Sequence, residues 1–270
     1  MDCEVKTYIN KNGLKTDYAV FGSGEKVFVI IPGLSIKPVT ESAEEVAKAY
    51  EMFAKDYTVY LFDRSKPVND GVTVDCMAEQ LYEALASLNI KGAYFFGASQ
   101  GGMILQSLMI NHPETVKKAV LGSTASRADS NIEMKVGCWE SLAKAGDAEK
   151  LHIEFFSDIY SEELLSALGN KVYSLIPECT AEELNTFCCL AKACKAFDVY
   201  DRLNEIRCPV LVIGSEKDKI MSKERQSEIA EKISGEVFMY SSFSHAVYDE
   251  ASDYKQKLLD FFEKQIKRRE

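Results

Sequence analysis

The chain has 270 residues, 46% of them hydrophobic and 27% charged, ordinary globular usage with enough apolar side chains to bury a sheet, which argues against disorder. A formal net charge of −10 and an isoelectric point near 5.0 repel phosphate backbones and anionic lipid headgroups, so a small-molecule partner is expected and nucleic acid is not. No stretch approaches the roughly 20 apolar residues that span a bilayer, and the opening MDCEVKTYIN has no apolar run behind a basic segment, so neither membrane insertion nor a secretory leader is expected.

Two alternating segments come first, VKTYI and LKTDYAVFG, separated by Asn12-Gly13, a pair suited to the positive φ values of a tight hairpin. An antiparallel pair is predicted there. After Gly22-Ser23-Gly24 comes VFVIIPG, an unbroken apolar run of the kind that forms a strand covered on both faces. Similar runs return at YTVYLFD (57–63), AYFFG (93–97), KAVLGS (118–123), PVLVIGS (209–215) and EVFMYSS (236–242). Between them, 41–54, 75–89, 100–111 and 222–233 carry apolar residues at spacings of three and four, the helical period. Strand and helix alternating in this way predict an α/β fold, a mostly parallel central sheet with helices on both faces.

The rhythm breaks between about 125 and 205, where amphipathic segments at 131–145, 148–157, 161–175 and 180–197 follow one another without a strand run. The predicted organisation is a core in two parts, 1–124 and 206–270, interrupted by an all-helical insertion at 125–205. The basic cluster from Lys264 to Arg269 fits the last turn of a helix, where cations complement the dipole. Eight scattered cysteines, with no secretory signal, point to reduced thiols and a cytoplasmic location. Cys188, Cys189 and Cys194 are read as small apolar residues of a buried helix; no histidine stands at metal-ligand spacing, and neither metal nor cofactor is expected.

The strongest chemical signal is Gly97-Ala98-Ser99-Gln100-Gly101-Gly102, behind the apolar run AYFF and ahead of the helical MILQSLMI. A nucleophile on a sharp strand-to-helix turn needs small neighbours, and the turn sets Ser99 at a helix N-terminus that favours developing negative charge. No Lys-Ser or Lys-Thr follows these glycines, so they do not spell a phosphate loop. A serine hydroxyl needs a base within hydrogen-bond reach, and there are three histidines. His112 stops the helix after the turn and His152 falls in the insertion; both read as structural. His245 follows the last strand run, at the carboxyl edge where open sheets collect function, and is the expected base. Asp218, in the loop after PVLVIG, is the expected orienting carboxylate, with Glu216 and Asp129 as competitors. The oxyanion donors are expected to be the backbone N–H of Gln100 and that of Leu34, after VFVIIPG.

These residues together, VFVIIPGL, Asp63-Arg64 after YTVYLF, GASQGG, PVLVIGSEKD and the late SHAV, resemble the α/β-hydrolase superfamily across nearly all of the chain outside 125–205. The resemblance implies that Ser99, Asp218 and His245 are a catalytic triad, and that the inserted helices form a cap over the pocket. It implies acyl transfer to water, esters being the commonest substrates. Departures from the family pattern are Pro32-Gly33 in place of the frequent His-Gly pair, Ser244 where a glycine usually precedes the histidine, and no glycine-rich continuation after Arg64. Trp139, Phe155, Phe156, Tyr160, Tyr173, Phe187 and Phe197 could line an apolar pocket or form the insertion's own core. The same fold also admits a ligand-binding protein without turnover, or an acyltransferase using the same triad.

Overall fold

The computed structural model describes residues 2–171 and 176–265. Strands β1 (Cys3–Ile9) and β2 (Lys15–Phe21) form the antiparallel pair, turning at Gly13 with φ of +81°. β3 (Lys26–Ile31), β4 (Tyr57–Phe62), β5 (Ala93–Ala98), β6 (Val116–Gly122), β7 (Val210–Ser215) and β8 (Glu236–Tyr240) complete an eight-stranded sheet of order β1-β2-β4-β3-β5-β6-β7-β8. From β4 onward in that order every pairing is parallel. The central strands alternate between two cores. Val29, Ile31 and Phe95 face α2 (Val74–Ser87), α3 (Gln100–Asn111) and α8 (Lys223–Ile233), whereas Phe28, Ile30, Tyr94 and Phe96 face α1 (Ala43–Ala49) and α10 (Tyr254–Glu263). This two-sided burial is why those runs are continuously apolar.

Helix α1 is shorter than its pattern predicts, with 3₁₀ turns at Val39–Ser42 and Glu51–Phe53 on either side. The second turn brings Tyr50 and Phe53 onto Phe28, at ring-centroid distances of 6.0 and 4.8 Å. Burying two large rings on the sheet outweighs one more turn of helical hydrogen bonds. Between β6 and β7 stand α4 (Ser130–Lys144), α5 (Ala148–Ile159), α6 (Glu162–Leu168) and α7 (Ala181–Lys195). Within the segment predicted as a helix over 161–175, α6 ends at Leu168 with Gly169 at φ of +51°, and residues 172–175 lie outside the described ones. Tyr173 lies outside the described residues, as does the part of the basic cluster beyond position 265. Helix α7 opens on a capping box between Thr180 and Glu183.

Register sets the site. Ile31 pairs with Gly97, Ala98 with Gly122, and Gly122 with Ile213, so β3, β5, β6 and β7 end level at one carboxyl edge. The segments that follow them, carrying Leu34, Ser99 and Asp218, emerge side by side there.

Candidate active site

Ser99 occupies the turn between β5 and α3 with φ of +50° and ψ of −118°, a left-handed conformation that an L-residue holds only when its surroundings impose it. Ser99 N–H donates to Gly122 O at 2.8 Å, and Thr124 Oγ1 donates to Ser99 O at 2.7 Å. The small neighbours are needed. A Cβ on Gly101 would lie 2.0 Å from Ile31 O, and one on Gly97 would lie 2.5 Å from Gly101 O. Ser99 is the N-cap of α3, yet its side chain makes no capping hydrogen bond; the hydroxyl is left facing a cavity.

His245 and Asp218 meet in the loops after β8 and β7. His245 Nδ1 lies 2.8 Å from Asp218 Oδ2, with both side chains almost wholly buried. The carboxylate also accepts from Ile220 N–H at 2.8 Å, Met221 N–H at 2.9 Å and Gln226 Nε2 at 3.2 Å. Its position is therefore fixed from several sides, and with Nδ1 engaged the ring's free nitrogen is Nε2. The competitors are occupied elsewhere: Glu216 is exposed and pairs with Lys223, while Asp129 caps α4 and accepts from Arg225. His112 stacks on Tyr82 at 3.5 Å and contacts Glu79, and His152 Nδ1 lies 2.7 Å from Ala148 O. Among the described residues Ser99 and His245 line one cavity without a hydrogen bond between them; such contacts commonly tighten only when substrate is bound.

The histidine loop is fastened to the inserted helices. Ser244 Oγ donates to Asp158 O at 3.2 Å, Ala246 N–H to Ile159 O at 2.7 Å, and Ser161 N–H to Glu250 Oε1 at 3.0 Å. Ser244, where the family pattern has glycine, thus has a partner at the end of α5. Asp158 itself accepts from Lys135 and from Trp139 Nε1, at 2.5 and 3.0 Å, tying α5 to α4.

Leu34 N–H donates to no other group among the described residues, and Gln100 N–H, as the first of a helix, has no intrahelical acceptor. Arg64, to which the sequence assigned no part in the site, braces both segments. Its Nη2 donates to Pro32 O at 2.6 Å and its Nε to Gln100 Oε1 at 3.1 Å. Gln100 Nε2 continues to Leu190 O at 2.9 Å and Cys194 Sγ at 3.0 Å on α7. Burial lowers the guanidinium pKa to about 10 and, against the opposing pull of Gln100 and Arg64, raises the Cys194 thiol to about 11. Asp63 accepts from Val39 N–H at 2.7 Å and from Thr40 N–H at 3.1 Å, holding the rest of the same loop. An arginine directly after a buried strand was the available signal for this brace.

A cavity of about 390 Å³ opens above Ser99 and His245, walled by Gly33 and Leu34 on the core side and by Trp139, Phe155, Phe156, Ile159 and Tyr160 from the inserted segment. Four of the seven aromatics considered from sequence therefore face it. Phe187 and Phe197 are instead packed into the core. Cys188, Cys189 and Cys194 are buried on α7. Among the described residues no group of three or more His, Cys, Asp or Glu side chains gathers as a metal site, and no helix is long and apolar enough to cross a membrane.

With this architecture, residues 26–252 match the alpha/beta hydrolase fold family, and the chain belongs to it. Among curated relatives, "Putative carbamate hydrolase RutD" of Rhizobium rhizogenes is 25% identical over 227 residues, which is 80% of this chain and 86% of that protein. Among solved structures, the hydrolase MGS-M2 from a Medee basin deep-sea metagenome superposes with a TM-score of 0.87 at 20% identity, covering 98% of this chain and 100% of that one. The enol-lactonase of Burkholderia xenovorans superposes at 0.81 with 19% identity, covering 96% and 100%. Likeness at such identity speaks for the fold.

Proposed function

We propose that this protein is a serine hydrolase that cleaves an ester or related acyl bond of a small, largely apolar substrate. Ser99 Oγ attacks the acyl carbon and passes its proton to His245 Nε2, while Asp218 holds the imidazole and stabilises its charged form. The oxyanion accepts from the N–H groups of Leu34 and Gln100. His245 then gives the proton to the leaving oxygen or nitrogen. Water, deprotonated by the same imidazole, releases the acid and restores the serine. The inserted helices act as a cap that excludes solvent from this step.

The observation that carries the reading is a serine at φ of +50° with an unused hydroxyl, lining the same cavity as an imidazole whose other nitrogen is held by a buried carboxylate. Carbamate hydrolase, lactonase and esterase activities named for similar proteins support the class. A fluorophosphonate is expected to label Ser99, as read by peptide mapping, and Ser99→Ala to remove the label; labelling retained in that variant refutes the assignment. Rates on p-nitrophenyl esters should depend on acyl length, because a cavity of about 390 Å³ admits short chains and crowds long ones; equal rates at all lengths refute a shaped pocket.

A further inference from the structure

The catalytic cavity is not uniformly apolar. Asp249, on the short helix α9 (Val247–Glu250), lines it together with Tyr50, Tyr160 and Tyr248. The carboxyl group is hemmed in by protein but faces the open space of the cavity, where solvent reaches it. We propose that Asp249 and these three tyrosines form a subsite for a positively charged nitrogen on the substrate, making the preferred substrates ammonium-bearing esters or amides. This rests on the serine-hydrolase reading for its catalytic meaning.

The surrounding charges leave Asp249 without a counter-ion. No Lys, Arg or His nitrogen lies within 4.0 Å of it among the described residues. The nearby cation, Lys255 on α10, donates to the backbone carbonyl of Tyr248 and sits 5.7 Å from the Tyr50 ring. Glu250 is committed to Ser161, and Tyr160 stands with Asp249 on the cavity wall. Burial accordingly holds the Asp249 carboxyl up at about 6, with Glu250 adding to the rise and Lys255 and Tyr160 opposing it. A carboxylate without a counter-ion gains from a ligand that brings the missing charge, and aromatic walls add cation–π attraction. The chain's formal charge of −10 raises the local concentration of cations and disfavours anionic substrates. Asp249, Phe156 and Tyr160 also line a neighbouring cleft of about 630 Å³ on the α6 side, so the subsite stands where that cleft meets the catalytic cavity.

The test compares choline with its uncharged carbon isostere, 3,3-dimethylbutan-1-ol, for binding to the intact protein at pH 8 by calorimetry. Choline is expected to bind at least about tenfold more tightly, and the preference should collapse in Asp249→Asn. It should also collapse in the unmodified protein once the pH falls below about 6, a readout that does not depend on the variant folding. Equal affinities, no binding of choline, or a preference that survives in Asp249→Asn overturns the proposal. Hydrolysis of acetylthiocholine against its uncharged isostere separates the two readings. Choline preference without turnover of either ester keeps the subsite and refutes the hydrolase; turnover of both with equal kcat/KM, abolished by Ser99→Ala, does the reverse.

Discussion

Replacing Ser99 with glycine should remove activity and yet raise stability. With φ of +50° and ψ of −118°, Ser99 lies in a region that costs a residue bearing a Cβ of order 1–3 kcal/mol. Glycine occupies it without that penalty, but loses about 0.5–1 kcal/mol through the greater freedom of its unfolded chain. The net gain expected is about 1 kcal/mol, which for a chain of this length raises Tm by about 2 °C. Ser99→Ala is the control, since it also removes the hydroxyl but keeps the Cβ and hence the strain. Because Ser99 Oγ has no hydrogen-bond partner among the described residues, its deletion adds little to either variant. The assay is the difference between the two variants in thermal and urea denaturation. If glycine proves no more stable than alanine, the strained turn is not a store of conformational energy.

Asp218→Asn should lower kcat on an activated ester by about 10³–10⁴-fold with the fold intact, because an amide fixes the wrong imidazole tautomer; steady-state kinetics check it, and a loss under tenfold counts against the role. Arg64→Lys should cut kcat by about 10–100-fold with little change in KM, since a single ammonium cannot reach both Pro32 O and Gln100 Oε1; a rise in KM alone would mean that Arg64 supports binding rather than the donors' alignment. For Asp249, the carboxyl pKa raised from the ordinary 3.8 to about 6 means that the folded state holds this proton more tightly than the unfolded chain does. Stability should thus fall as pH rises from about 4 through 6 and stay lower above. Asp249→Asn should then gain about 1–2 kcal/mol at pH 8, after allowance for solvent screening in the cavity, and nothing at pH 4. Denaturation midpoints at the two pH values check this; an equal gain at both refutes it.

The proposed chemistry joins parts whose supports cross the whole molecule. Gln100, beside the nucleophile, is bonded to Arg64 after β4 and to Leu190 on α7. The loop of His245 is bonded to the end of α5 through Ser244 and Ala246. Hydrogen bonds thus connect α5 to the His245 loop and α7 to Gln100.

Local order was legible in the residues themselves. The continuous apolar runs, the period of the helices and the Gly97-to-Gly102 turn are encoded over a few consecutive positions, because strand burial, helical period and tolerance of close backbone approach are local properties. The sequence could also order Ser99, Asp218 and His245 along the chain. It ranked Asp218 ahead of Glu216 and Asp129 by chain order and sheet edge, but it could not show that Asp218 meets His245 or that Ile220, Met221 and Gln226 hold its carboxylate there. Nor did it reveal the Arg64 brace, the Ser244 contact or the Asp249 subsite. Each depends on residues tens of positions apart meeting at one sheet edge, and such meetings are decided only when the strands, helices and insertion pack.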